Sequence, residues 1–177
     1  MITKSIKKEI MEYFFINPNK KYRVREIERE LSLSLPSVIR YCKELVQEEI
    51  LEKINLGAVV FYTANKANKL YLLEKKMFNL KQVYNSGILD YLRENLSNPV
   101  IILFGSYSKG EDIETSDIDL YIGTIAKKKI NLIKFERFLN RKIQVFKFKD
   151  IMEIPNKHLA NNIVNGCVLN SYLEVFK

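Results

Sequence analysis

Phe104-Gly105-Ser106-Tyr107-Ser108-Lys109-Gly110, followed by Glu111-Asp112-Ile113-Glu114-Thr115-Ser116-Asp117-Ile118-Asp119-Leu120, is the stretch whose reading decides the rest of the chain. It starts where the apolar run Val100 to Phe104 meets Gly105-Ser106, and it closes on two aspartates set two apart at the head of a second apolar run, Ile118 to Ile122. Strand side chains alternate, so Asp117 and Asp119 fall on one face while Ile118, Leu120 and Ile122 fall on the other. Two carboxylates on a half-buried strand repel each other and lose solvation, so the pattern asks for a cation between them. Mg²⁺, held by one or two carboxylates together with substrate phosphates, meets that demand. Upstream, Gly105 lets the backbone approach a ligand closely, and Ser106 offers a hydroxyl and the first turn of a helix to an anion. The bland alternative is a common Gly-Ser turn and a surface strand capped by Asp-x-Asp. The spacing of the two fragments, each preceded or followed by an apolar strand, favours the functional reading.

The run Gly105-Ser106 … Asp117-Ile118-Asp119-Leu120 resembles the signature of the DNA polymerase beta-like nucleotidyltransferase superfamily, in its small minimal nucleotidyltransferase branch. The resemblance covers about residues 85 to 177. It implies Mg²⁺ and a nucleoside triphosphate, with Gly105 and Ser106 at the phosphates and Asp117 and Asp119 as catalytic, metal-holding acids; Lys109, tied to Gly105-Ser106 by its place in the same loop, is a further phosphate candidate. The family carries a third carboxylate on the next core strand, here Lys142-Ile143-Gln144-Val145-Phe146-Lys147-Phe148, and the matching position is Gln144. Glutamine has no charge, cannot act as a general base and is a poor Mg²⁺ ligand. Asp150 shares the strand parity of Gln144 but lies roughly 20 Å farther along an extended strand. Whether the chain is an enzyme stays open at this point.

The sequence has 177 residues, 47% of them apolar and 28% charged, which suits a globular protein of one medium or two small domains. No window has the length of a membrane span, and Met1-Ile2-Thr3-Lys4-Ser5-Ile6-Lys7-Lys8-Glu9 lacks the uninterrupted apolar core of a signal peptide, so a cytoplasmic location is expected. Cys42 and Cys167 lie in apolar surroundings within expected helices, without metal-ligand spacing, and read as buried small hydrophobes. The net charge of +8 favours polyanionic partners. Residues 1–64 hold 11 basic and 9 acidic groups, 65–98 hold 6 and 3, and 99–177 hold 12 and 9, so at this scale no segment stands out.

The N-terminal part sets Ile6, Ile10, Met11, Phe14 and Phe15 at helical spacing over residues 3–16, ended by Asn17-Pro18-Asn19. A short second helix carries Val24, Ile27 and Leu31. A third opens at Ser34-Leu35-Pro36-Ser37, with a capping hydroxyl and an early proline, and turns Val38, Cys42, Leu45 and Val46 inward. Two strands joined at Asn55-Leu56-Gly57 follow. Three helices and a hairpin in this order resemble a winged helix-turn-helix domain, and the phrase from Arg25-Glu26-Ile27 through Leu33-Ser34-Leu35-Pro36-Ser37-Val38-Ile39-Arg40-Tyr41 is similar to prokaryotic transcription regulators. In such a domain Ser37, Arg40 and Tyr41 reach base edges of double-stranded DNA, Arg40 forking onto guanine, and Lys53 and Asn55 near the wing touch phosphates. The alternative is a solvated helix face.

Residues 65–96 read as helix bent at Ser86-Gly87, with a broad apolar surface that suits either homodimerisation or packing against both domains. Lys127-Lys128-Lys129 precedes a helix containing Leu132, Ile133, Phe135, Phe138 and Leu139, and the bland reading of that run is a solvated face. A final helix is expected around His158 to Leu169, where Asn162-Ile163-Val164-Asn165-Gly166 looks like the tail of archaeal-type proteins fusing a winged helix to this transferase domain. His158, the one histidine, reads as a surface group.

The expected architecture is therefore α+β: a winged helix-turn-helix at residues 1–64, a helical linker at 65–98, and at 99–177 a small α/β nucleotidyltransferase domain with a three-stranded mixed sheet. The expected function is DNA-binding transcription regulation with a Mg-nucleotide bound at Gly105, Ser106, Asp117 and Asp119. The rival is an active nucleotidyltransferase passing a nucleoside monophosphate to a hydroxyl of a protein, RNA or small molecule. A third reading is an interaction scaffold in which the acidic pair is a vestige.

Overall fold

A computed structural model describes residues 5–175. The chain divides into two compact units, Met1–Phe78 and Asn79–Lys177, and the division falls inside the stretch expected to be a linker.

In the first unit, helix α1 (Ile6–Ile16) begins within the expected segment, whose residues 3 and 4 lie outside the described residues. Helix α2 (Val24–Leu31) starts with the Glu26 carboxylate accepting from the Arg23 backbone N–H at 2.8 Å and ends at Ser32, which adopts a left-handed conformation with φ 52°. Helix α3 (Leu35–Gln47) begins at Ser34, yet the Ser34 hydroxyl donates to the Ser37 hydroxyl at 2.8 Å instead of capping the helix N–H groups. Strands β1 (Leu51–Leu56) and β2 (Val59–Ala64) form an antiparallel hairpin turned at Gly57, φ 60°. Tyr22 adds an antiparallel bridge to Tyr62, a pairing that no sequence periodicity announced. Ile10, Phe14, Phe15, Ile27, Val38, Cys42 and Leu45 close the core. Each such side chain, fully buried, contributes about 1.5–3 kcal/mol.

Helix α4 (Lys69–Asn85) crosses the division, and helix α5 (Ile88–Asn95) follows after Gly87, whose φ of 73° makes the expected bend. In the second unit four strands form one mixed sheet: β3 (Val100–Phe104), β4 (Ile118–Gly123), β5 (Ile143–Phe148) and β6 (Cys167–Asn170), in the order β5-β4-β3-β6. The three-stranded sheet of the sequence reading is thus corrected to four strands. The expected last helix stops at Val164 as α8 (Lys157–Val164), and Cys167 lies on a strand, partly exposed, instead of in a helix. The reason is local: a Cβ on Gly166 would stand 2.7 Å from the Leu103 carbonyl, so only glycine lets the chain turn tightly onto β3 and pair with it.

The apolar run of β3 is continuous because the sheet is covered on both faces. One face sets Ile101, Leu103, Ile118, Leu120, Ile122 and Ile143 against α5 and helix α7 (Ile133–Leu139). The other sets Ile102, Phe104 and Tyr121 against Ile151, Ile154 and Ile163, on a 3-10 turn (Ile151–Glu153), the loop after it and α8.

Candidate functional site

Gly105 begins helix α6 (Gly105–Lys109) directly where β3 ends, and Gly110 closes it with φ 77°. Gly105 has φ 73°, and a Cβ placed there would lie 2.2 Å from Asp119 Oδ2. The absence of a side chain at Gly105 is therefore what lets the Asp119 carboxylate rest against the strand-to-helix turn. Asp119 is half-buried, pairs in register with Phe104 on β3 and with Gln144 on β5, and shares its sheet face with Tyr121. Asp117 sits one residue before β4 and is exposed.

Burial, and second the neighbouring Asp117, raise Asp119 above the ordinary carboxylate range. Neither acid forms an ion pair with a lysine or arginine among the described residues. The structure thus sets Asp119 against Gly105, with Asp117 beside it in the chain and acting on its charge. Two oxygen-rich acids beside that turn form a donor set that fits a hard divalent cation completed by phosphate oxygens and water. Ser106 is partly exposed on the first turn of α6, and Lys109 is exposed on its last. Gln144 is exposed beside Asp119, the position expected of a third carboxylate. Asp150 does not replace it: β5 ends at Phe148, and Asp150 caps the 3-10 turn by accepting from Met152 N–H at 3.0 Å.

Two residues that support this loop were absent from the sequence reading. Asn79 is buried and donates from Nδ2 to the Tyr107 carbonyl at 2.9 Å and to Asp112 Oδ1 at 2.7 Å. Asp112 is 2% exposed, so a charge lies inside the fold just below α6. Burial first and Asp112 second push the Tyr107 hydroxyl up, while Arg141 opposes the shift. No periodicity marks Asn79 or Asp112. The only sequence sign is an acid two residues after Gly110, next to the exposed Glu111, where any turn would tolerate it.

In the first unit, Ser37 and Tyr41 are partly exposed and Arg40 is exposed on α3. The Arg40 guanidinium lies over the Tyr41 ring at 4.2 Å, hydrogen-bonds its hydroxyl, and stands 3.6 Å from Glu44. Lys53 and Asn55 are exposed on β1. His158 donates its backbone N–H to the Asn156 side chain at the start of α8 and is exposed.

No helix among the described residues is long and apolar enough to cross a membrane. In a comparison with known families, residues 86–172 match the family described as polymerase beta, nucleotidyltransferase, which supports a nucleotidyltransferase-superfamily domain in this part of the chain. Domains of this type use a divalent metal ion. A search of curated proteins returned no match to the chain.

Proposed function

We propose, taking the nucleotidyltransferase domain over residues 86–172 as the premise, that this domain binds a metal-bound nucleoside triphosphate and that residues 1–64 form a winged helix-turn-helix module reading double-stranded DNA. The chain would then be a nucleotide-responsive transcription regulator. One observation carries the nucleotide half: a half-buried Asp119, raised in pKa by burial and by Asp117, rests against a glycine with no side chain. Asp117 and Asp119 hold the ion, for which Mg²⁺ is the choice, and the Ser106 hydroxyl and the Lys109 ammonium take the phosphates. When bound, Mg²⁺ supplies charge neutralisation at the phosphates. Asn79 and Asp112 keep the α6 turn in place beneath that site.

Titration calorimetry and thermal melts with Mg-ATP test this half. Binding heat and a raised melting temperature are expected, and both should vanish in Asp117→Asn/Asp119→Asn. No heat and no stabilisation in the unsubstituted protein would retire it.

The DNA half is supported by the order of α1, α2, α3 and the β1–β2 hairpin, and by an exposed Arg40 preset against Tyr41. Arg40, Ser37 and Tyr41 would read bases and Lys53 phosphates. Duplex retention in gel shifts should weaken by about 1–3 kcal/mol in Arg40→Ala. Absence of any shift at low salt would sink the regulator. A nucleotide can act as its switch only by binding two states of the protein with different affinity, so the Kd for DNA should change with Mg-ATP and the Kd for Mg-ATP should change with DNA by the same factor. Leu70, Leu73 and Met77, exposed along one stripe of α4, suit contact with a second copy. Sedimentation of the full chain would detect that dimer.

The second reading is active transfer of a nucleoside monophosphate, favoured by the acid pair within a domain of this family. Positioning and metal chemistry supply much of the acceleration in such transfers, so Gln144 need not abolish it. A labelled product from radiolabelled ATP and lysate, lost in Asp119→Asn, would select this reading.

A further inference from the structure

Within the segment 99–177 the charge is concentrated. Residues 124–149 hold nine basic groups, Lys127, Lys128, Lys129, Lys134, Arg137, Arg141, Lys142, Lys147 and Lys149, and one acid, Glu136. Their excess of eight equals the net charge of the whole protein, +8. Except for the partly exposed Arg141 and Lys147 these cations are exposed, and none forms an ion pair among the described residues.

The fold gathers four of them, Lys127, Lys128, Lys129 and Lys147, at one edge. Strand β5 is an edge strand, and the Lys127–Lys129 strap together with α7 lies between β4 and β5 in the chain. Lys127, Lys128, Lys129 and Lys147 rim an open cavity of about 530 Å³ whose floor is Ile130, Leu132 and Val145. Val145 and Lys147 alternate with Gln144 and Phe146 along β5, so this cavity opens on the sheet face opposite Asp119. Alongside, the outer face of α7 carries Ile133, Lys134, Arg137 and Phe138 in succession around the helix, and Phe138 is 57% exposed.

Lysines on an edge strand also discourage sheet-to-sheet pairing, but that role needs neither an apolar-floored cavity nor an exposed phenylalanine among cations. We propose that the β5–α7 edge is a docking surface for single-stranded nucleic acid, separate from the acidic site on the other sheet face and from the duplex-reading module proposed for residues 1–64. A single strand presents phosphates to the lysines and unpaired bases to an apolar floor and an aromatic ring. A duplex keeps its bases stacked and offers phosphates alone. An acidic polypeptide offers carboxylates with no flat faces to stack.

Fluorescence anisotropy of the full chain with a labelled 20-nucleotide RNA of mixed sequence, titrated across salt concentrations, tests this. Lys127→Gln/Lys128→Gln/Lys129→Gln should weaken binding about tenfold or more, and should flatten the slope of log K against log salt by about 2, since each phosphate contact on a single strand contributes ~0.7. Phe138→Ala should weaken binding and leave the slope unchanged, because stacking releases no counterions. Lys147→Gln, whose ammonium donates to the Lys128 carbonyl at 3.3 Å, is the replacement if circular dichroism finds the triple variant unfolded. Arg40→Ala should leave single-strand affinity intact. The proposal is overturned if the RNA is not bound at low salt, if a duplex of equal length binds more tightly through the same lysines, if polyglutamate of equal charge displaces the strand as well as unlabelled RNA does, or if Arg40→Ala removes the binding.

Discussion

Gln144 stands beside Asp119 in the parallel register of β4 and β5. The two side chains rise from neighbouring strands on one sheet face, so a carboxylate at position 144 would join Asp117 and Asp119 at the same site. Gln144→Glu is therefore expected to tighten Mg²⁺ binding in calorimetry and, in the labelled-ATP assay, to raise any transfer activity. It should also lower the melting temperature in EDTA, since three like charges are then crowded with no cation. Unchanged ion affinity would mean that position 144 does not face the acid pair.

Gly105→Ala separates function from stability. The added methyl meets the end of a flexible carboxylate, which can rotate away, so the folding cost comes mainly from a positive φ of 73° and is about 1–2 kcal/mol. The displaced Asp119 should nevertheless lose Mg-nucleotide binding. A small drop in melting temperature accompanied by loss of binding heat is the expected pair of results.

Acidity should act on Asp119 with a definite sign. Because burial and then Asp117 raise its folded pKa above the ordinary value of 3.8, the folded state holds this proton more tightly than the unfolded chain. The resulting stabilisation is fully present below 3.8 and is lost as pH rises through the folded pKa. Melts in EDTA across pH 3 to 8 should find Asp119→Asn relatively more stable than the unsubstituted protein at neutral pH, with the gap closing on acidification. Divalent-ion affinity should fall over the same window, because protons compete for the carboxylate.

Asn79→Leu removes the donor shared by Asp112 and the Tyr107 carbonyl while keeping similar bulk. Loss of a hydrogen bond to a buried charged group costs about 1.5–3 kcal/mol, so chemical denaturation should report a destabilisation of that order. The α6 turn should loosen with it, weakening Mg-nucleotide binding even though Asn79 does not touch the site's acids.

The two thiols should differ in reactivity. Burial alone pushes the Cys42 thiol up to about 12, and its side chain is fully enclosed in the first unit's core. A disulfide-exchange reagent at pH 8 should label the partly exposed Cys167 in the native protein and reach Cys42 only after denaturant is added. Equal labelling of both under native conditions would contradict the packing around α3.

Most of the helices and the site's acids were legible because they rest on local rules. Ile10 and Phe14, Val38 and Cys42, and Leu89 and Leu92 recur at helical spacing, and Gly105-Ser106 with Asp117 and Asp119 is a spaced pattern that a reader can quote from the chain. Strand β6 escaped because Cys167-Val168-Leu169 is a short apolar run that continues helical periodicity equally well, and only Gly166 pressed against the Leu103 carbonyl turns it into a fourth strand. The Ser34 cap failed because its hydroxyl is turned to donate to the Ser37 hydroxyl, and its oxygen accepts from no helix N–H.

The sequence by itself determined the two-part organisation of helices and strands, the acid pair and the glycine turn that precedes it, since each depends on residues close together in the chain. Tertiary structure alone decided that Asp119 leans on Gly105 and lies beside Gln144, that Asn79 clasps Asp112 beneath α6, and that Lys147 joins Lys127, Lys128 and Lys129 around one cavity. Those relationships join positions from 14 to 33 residues apart through strand register and packing, which no local periodicity encodes.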